Sequence, residues 1–289
     1  MRRSLLFLPG NQPNMLQNGG VLPADALILD LEDAVAPTEK DAARELVASA
    51  LRDFDFGDRE RVVRINGIDT PYAIDDLRAV VAAGADTVMV PKVVGKKTID
   101  VIDRELDRMG ADNVQLIALI ETAVGIEFAH EAATASKRMV ALALGAEDLS
   151  ADLGCQRTKA GTEIFYSRTR LVNAARAADI QAIDTPFTDA RDLQGCFDDA
   201  AFAKSLGFTG KLSISPHHLQ PIHDAFAPSE RELQFALDVV EAMERAKAEG
   251  LGAVSLHGKM IDPPVVRQAE LTLDMARASG LLDNEGGSR

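Results

Sequence analysis

The sequence predicts an α/β protein, a (β/α)8 TIM barrel with a C-terminal helical extension. Two observations carry this reading. Eight short runs, apolar on both faces as buried parallel strands are, recur over about 220 residues. Stretches with helical spacing separate them, and this alternation is the signature of a (β/α)8 barrel. A doubly wound open sheet is the alternative. It would normally place a Gly-rich turn after the first strand, and Pro9-Gly10-Asn11 is not one.

The apolar runs fall at residues 4–8, 26–31, 61–65, 87–90, 116–120, 140–144, 181–183 and 211–214. The helical stretches are 38–51, 73–83, 96–109, 124–135, 162–178 and 191–206. The first opens with Thr38-Glu39-Lys40-Asp41, a capping pattern, and then carries Ala42, Leu46, Val47 and Ala50 at helical spacing. Gly84, Gly110 and Gly207 sit where C-terminal caps belong. Beyond Pro228 the pattern changes to a long helix over 229–249, an extended stretch over 251–259, a second helix over 263–279 and a frayed end over 283–289. The expected division is a barrel over 1–227 and an extension over 228–289.

Composition bounds the function. Asp and Glu number 45 against 31 Lys and Arg, a formal net charge of −14. That balance argues against nucleic acid or an anionic membrane as partner, because phosphates attract clustered Lys and Arg. The apolar run 5–8 after Arg2-Arg3 is too short for a signal peptide, and nothing approaches the length of a membrane span. Two cysteines, Cys155 and Cys196, fit a reducing cytoplasm better than a disulfide scaffold. They have no zinc-type cluster around them.

Barrel enzymes carry their chemistry at the C-terminal ends of the strands. The residues just past the eight runs are Pro9-Gly10-Asn11, Asp30 with Glu32 and Asp33, Arg64 and Asn66, Lys92, Glu121, Glu147-Asp148, Asp184, and Ser215-Pro216-His217. The opposite ends read as poorer in polar groups. Glu121 and Asp148 end neighbouring strands and can share a divalent ion such as Mg2+, which one or two carboxylates plus water and substrate oxygens typically hold. Equally, they can pair with arginines or cap the following helices. Arg64 has the planar fork that suits a substrate carboxylate. A structural ion pair with Asp30, Glu32 or Asp33 is the other reading. Lys92 can contact substrate or pair with nearby carboxylates.

The segments RSLLFLPGN (3–11), LILDLEDAV (27–35), VRIN (63–66), VPK (90–92), ALIET (118–122), GAEDL (145–149) and GKMIDPPV (258–265) together give the chain a marked resemblance. Over nearly its whole length it resembles the citrate lyase beta-subunit-like family, which includes malyl-CoA and citramalyl-CoA lyases. The resemblance implies Glu121 and Asp148 as Mg2+ ligands and Arg64 as the substrate carboxylate clamp. It implies Asp262 as the catalytic acid/base, delivered by the C-terminal segment into a neighbouring subunit's site, and hence a homo-oligomer, a trimer. Asp30, Glu32, Asp33 and Lys92 would support these groups. The chain around Ile214 and Ser215 would position the thioester.

The activity implied is Mg2+-dependent cleavage, or the reverse Claisen condensation, of a short 3-hydroxyacyl-CoA such as (S)-citramalyl-CoA or malyl-CoA. The products would be acetyl-CoA and a 2-ketoacid. Two alternatives stand beside it: the beta subunit of a citrate lyase complex acting on a carrier-bound citryl thioester, and a CoA-independent pyruvate aldolase. The chain departs from the family in two places. Residues 12–18 lack the Arg or Lys that many members carry in the first helix for CoA phosphates, and Ile214-Ser215-Pro216 replaces a common Ile-His-Pro.

Other motifs are weaker. The adjacent His217 and His218 read as surface or helix-start residues. Residues 252–260 resemble a phosphate loop with one residue too many and no Ser/Thr after the Lys. Residues 53–58 resemble a calcium loop without its distal Glu and read as a solvated turn.

Overall fold

The computed structural model describes residues 1–248, 254–256 and 258–283. Eight parallel strands close into a barrel in chain order: β1 (Ser4–Pro9), β2 (Ala26–Asp30), β3 (Glu60–Arg64), β4 (Thr87–Val90), β5 (Gln115–Ile120), β6 (Met139–Leu144), β7 (Gln181–Asp184) and β8 (Gly210–Ser213). Each strand overlaps its expected run to within about one residue at either end. β8 closes the ring on β1 through Ser4↔Lys211 and Leu6↔Ser213.

Strand side chains alternate between two faces, and the period of two sets what the barrel encloses. Leu5, Ala26, Ile28, Val62, Met89, Ile117, Leu119, Ala141, Ala143, Ile183 and Leu212 fill the interior as one buried cluster. The cluster mixes small alanines on β2 and β6 with larger Met89, Ile117 and Leu119 on β4 and β5, and together they fill the barrel. Continuing the same parity one step past the apolar layer brings Asp30, Arg64, Glu121 and Ile214 to the mouth of the barrel.

The helices differ from the sequence reading in five places. The expected cap at Thr38 does not form. Pro37–Glu39 is a 3-10 turn, and helix Lys40–Asp53 starts without a side-chain cap. Pro37 favours the tight turn, and buried Lys40 reaches back to the carbonyls of Leu31 and Glu32 instead, at 2.8 and 2.6 Å. The stretch 124–135 is two short helices, Ala123–Glu127 and Ala129–Ala133, interrupted at Phe128. The stretch 162–178 begins as the 3-10 turn Thr162–Ile164 before helix Phe165–Ala177. Two helices lie outside the expected stretches, Ala146–Asp152 after β6 and Leu219–Phe226 after β8.

The rim opposite the mouth is not poor in charge, contrary to the sequence reading. Its charges are closed into pairs: Arg2 with Glu60 at 2.5 Å, Arg3 with Asp25 at 2.7 Å and Arg61 with Asp86 at 2.6 Å. On the outer side of β7 and β8, Arg168, Asp184, Asp199 and Lys211 form a buried quartet of two cations and two anions, with contacts of 2.5–2.9 Å.

By its contacts the chain forms two compact units, Arg2–Ala225 and the segment from Phe226 onward together with Met1. In the second unit, helix Glu230–Ala248 packs on helix Pro263–Ala278 around Ala236, Val239, Ile261, Ala269 and Leu273. The expected extended stretch contributes to a hairpin, Val254–Leu256 antiparallel to Lys259–Ile261. Gly252 of the phosphate-loop resemblance and residues 284–289 of the expected frayed end lie outside the described residues. No helix among the described residues is long and apolar enough to cross a membrane.

Candidate active site

A cavity of about 440 Å3 opens at the C-terminal ends of the strands, with Phe7, Asp30, Arg64, Glu121, Asp148 and Ile214 among its lining. A second cavity, about 530 Å3, shares Glu121 and Asp148 with it and extends past Lys92 and Thr122. The two carboxylates thus stand where two lobes of one cleft meet.

Register explains the first cluster. Asp30 and Arg64 are direct neighbours on parallel strands, facing the same way. Arg64 gives its Nε and Nη2 to the two Asp30 oxygens, at 2.7 and 2.6 Å. Its Nη1 lies 2.8 Å from Glu32 and 3.4 Å from Asp33. The guanidinium also lies over the Phe7 ring, 4.8 Å from its centroid. Burial opposes the charge on Arg64, but the hydrogen-bonded Asp30 and the charges of Glu32 and Asp33 outweigh it and hold the guanidinium firmly protonated. The structural ion pair is therefore formed, and it turns the Arg64 side chain toward the cavity.

The turn after β2 is held from several sides. Asp30 accepts from the backbone of Glu32 at 2.9 Å and of Ala34 at 3.3 Å. Lys40 holds the carbonyls beneath. Glu32 is buried between Arg64 and the Lys92 ammonium, which lies 2.9 Å from its Oε1. Burial raises the Glu32 pKa, and the two cations oppose that rise.

Glu121 follows β5 and is buried. Its Oε1 accepts from the backbone N–H of Lys92 at 2.7 Å. Gly145 leaves the space it needs: a Cβ there would lie 2.6 Å from Glu121 Oε2 and 2.8 Å from its Cβ. Burial, together with the neighbouring carboxylates Glu32 and Asp148, pushes the Glu121 pKa up to about 8. Asp148 lies in the first turn of helix Ala146–Asp152, exposed, with no hydrogen bond or ion pair to the described residues. Thr185, after β7, anchors that helix by accepting from Ala146 N at 3.1 Å. Among the described residues, neither carboxylate pairs with an arginine or caps a helix.

Ile214 lines the cavity, whereas the Ser215 hydroxyl accepts from His217 N at 3.3 Å and caps the turn Pro216–His218. Asp262 belongs to the C-terminal unit, where it caps helix Pro263–Ala278 by accepting from Val265 N at 3.3 Å. His218 is buried, against Phe187, rather than at the surface.

Among the described residues, no three His, Cys, Asp or Glu side chains converge as a ready metal cage. The donor set fits a hard cation that takes only one or two carboxylates: Glu121 keeps Oε2 free of the Lys92 bond, and Asp148 stands beside it without a partner among the described residues. Their mutual repulsion is the cost a cation would relieve.

A closed parallel barrel with clustered carboxylates and a held arginine at the C-terminal ends of its strands defines a TIM-barrel protein with a candidate cation site. The particular family is also clear. Residues 3–216 match the HpcH/HpaI aldolase/citrate lyase model, and the chain belongs to that family of carbon–carbon lyases. It is similar to citrate lyase subunit beta of Escherichia coli, 44% identical over 97% of this chain and 95% of that one. The Leuconostoc mesenteroides counterpart is 41% identical over 99% and 97%. Similarity to the L-malyl-CoA/beta-methylmalyl-CoA lyase of Rhodobacter capsulatus is 33% over 96% and 95%. Among solved structures it resembles protein CitE from Mycobacterium tuberculosis in complex with magnesium, acetoacetate and coenzyme A. The TM-score is 0.75 and the identity 33%, over 95% of this chain and 98% of that one.

Proposed function

We propose that this chain is the lyase subunit of a citrate lyase-type assembly, cleaving a carrier-bound citryl thioester to oxaloacetate and an acetyl thioester. The observation that carries the reading is the pairing of Glu121 with Asp148, itself free of partners among the described residues, in the cavity that also holds Arg64. Two further observations favour the carrier-bound substrate over the free acyl-CoA that the sequence reading placed first. The citrate lyase subunits are closer in sequence than the malyl-CoA lyase. Helix Pro13–Gln17 and its flanks carry no Lys or Arg to receive the phosphates of CoA.

Glu121 and Asp148 would hold Mg2+, which when bound supplies Lewis-acid polarisation of the substrate's hydroxyl and carboxylate oxygens. Arg64, braced by Asp30 and Glu32, presents the remaining edge of its guanidinium to a substrate carboxylate. Phe7, Leu119 and Leu212 exclude water around the carbon skeleton. In cleavage, the bond between the carbinol carbon and the thioester α-carbon breaks. The hydroxyl gives its proton to water and becomes the ketone of oxaloacetate. The α-carbon keeps the electron pair and takes a proton from Asp262 of a neighbouring subunit, which returns as the base in condensation. Exposed Val94, Val124 and Phe128 beside the mouth offer an apolar rim for that neighbour to cover.

The test is a panel of citryl, citramalyl and malyl thioesters, each on CoA and on an acyl-carrier protein, with Mg2+. The reading expects ketoacid release to be fastest from the carrier-bound citryl thioester. Turnover confined to citramalyl- or malyl-CoA would replace it with the stand-alone lyase.

A further inference from the structure

Cleavage moves negative charge onto the thioester. As the bond to the carbinol carbon breaks, its electron pair passes to the α-carbon and is shared with the thioester carbonyl oxygen, as an enolate. That oxygen needs a donor while the charge lasts, and a donor already in place is worth most. Glu121 and Asp148 are acceptors and cannot serve. Arg64 commits its Nε and Nη2 to Asp30 and its Nη1 to Glu32, and its remaining edge faces a substrate carboxylate.

Lys92 is the cation on the other side. Among the described residues that line the two lobes, Arg64 is the positive group of the first and Lys92 that of the second. The lobes meet at Glu121 and Asp148. The Lys92 ammonium has three N–H donors. Glu32 Oε1 takes one at 2.9 Å, and Asp33 Oδ1 lies 4.0 Å away, beyond hydrogen-bond reach. The side chain lines the second lobe and is 44% exposed, so the donors left over are open to the cleft.

Two restraints fix where that ammonium stands. The backbone N–H of Lys92 grips Glu121 Oε1 at 2.7 Å. At the far end of the side chain, Glu32 holds the ammonium and is itself held by Arg64 at 2.8 Å. The lysine is thus tied at both ends to the groups around the carboxylate pair. We propose that Lys92 is a catalytic residue of the cleavage, donating a hydrogen bond from its ammonium to the thioester carbonyl oxygen as the enolate forms. This role rests on the lyase reading. A substrate whose carboxylate is clamped by Arg64 in the first lobe has its thioester carbonyl free to turn toward the second. Lys92 keeps its proton throughout. The α-carbon is protonated by Asp262 of the neighbouring subunit, and the thioester carbonyl re-forms as the enolate charge disappears.

Two uncleavable arms of the same shape supply the test. An acyl-carrier protein is prepared with its prosthetic thiol S-carboxymethylated, which fixes a negative oxygen near the enolate position, or S-carbamoylmethylated, which leaves that end neutral. Calorimetry with Mg2+ and oxaloacetate present measures the binding of each to wild type, Lys92→Met and Lys92→Arg, with circular dichroism confirming the fold. Wild type is expected to prefer the charged arm by about tenfold or more. Lys92→Met is expected to bind the neutral arm as wild type does and to lose the preference, while Lys92→Arg, which keeps a charged donor, retains most of it. In turnover of the citryl carrier at saturating Mg2+, Lys92→Met is expected to lower kcat by about 100- to 1,000-fold with KM little changed. A wild type without the preference, a Lys92→Met variant that keeps it, or a kcat that survives the substitution would each overturn the role of Lys92. Wild type that binds neither arm would overturn the lyase reading itself, and this role with it.

Discussion

The backbone N–H of Lys92 donates to Glu121 Oε1 at 2.7 Å, and Lys92 makes this bond from the left-handed region, at φ +52°. A side chain is disfavoured there, so the strained turn is kept by what it holds. Glycine tolerates this backbone and keeps the donor, whereas a β-branched residue resists it. Both Lys92→Gly and Lys92→Val lose the ammonium beside Glu32, so comparing them isolates the backbone. The Gly variant should be more stable than the Val variant by about 1–3 kcal/mol in urea unfolding. Equal stability would remove strain as the reason.

Glu121 makes a pH prediction with a definite sign. Its folded pKa is raised, from an ordinary 4.5 to about 8. For a carboxyl shifted upward, the folded state holds its proton more tightly than the unfolded chain. Its contribution to stability is then complete below about 4.5 and is lost as pH rises through about 8. Metal-free wild type should lose stability across that window, and Glu121→Gln should lose much less. Mg2+ competes with the same proton, so its affinity should fall on acidification by up to about tenfold per pH unit below about 8. Melting curves with and without Mg2+, from pH 5 to 9, read both effects.

The quartet on the outer side of β7 and β8 is a structural prediction. Lys211 touches Asp184 at 2.6 Å and Asp199 at 2.5 Å with its side chain fully buried. Lys211→Met leaves two buried carboxylates to one arginine, Arg168. Removing one partner from such a pair costs about 3–5 kcal/mol. Chemical denaturation should show that loss, with Mg2+ affinity of the folded protein unchanged because the cavity is not touched.

If Asp262 serves a neighbour's cleft, two dead variants should complement each other. Glu121→Gln lacks a metal ligand, and Asp262→Asn lacks the proton donor. Mixed after dissociation and reassembly, some clefts combine an intact Glu121 with an intact Asp262 from the next chain. Random mixing in a ring should restore roughly a quarter of wild-type activity. No recovery in mixed, folded oligomers would place Asp262 in its own chain's cleft or outside catalysis.

The strands were legible because burial on both faces leaves a local record, short apolar runs ending in polar residues. Parity then carried Asp30, Arg64 and Glu121 to one mouth. What stayed hidden depends on pairing across the fold. Arg168, Asp184, Asp199 and Lys211 are far apart in sequence and meet only when β7, β8 and their helices assemble. Lys40 looked like part of a helix start, and only the return of the chain shows it gripping the turn after β2. The choice between ion pair and clamp at Arg64 was open because the sequence does not give the Asp30–Arg64 register. Charges on the far rim were underestimated because their partners come from other strands.

The most direct test of the central claim is oxaloacetate release from carrier-bound citryl thioester, followed with Mg2+ for wild type and for Glu121→Gln with Asp148→Asn. Wild type should release oxaloacetate and acetyl thioester in equal amounts, and chelation should stop it. The double variant should fold, bind no Mg2+ and release neither product. Undiminished release by the double variant, or none by folded wild type with carrier and Mg2+ present, would contradict the account.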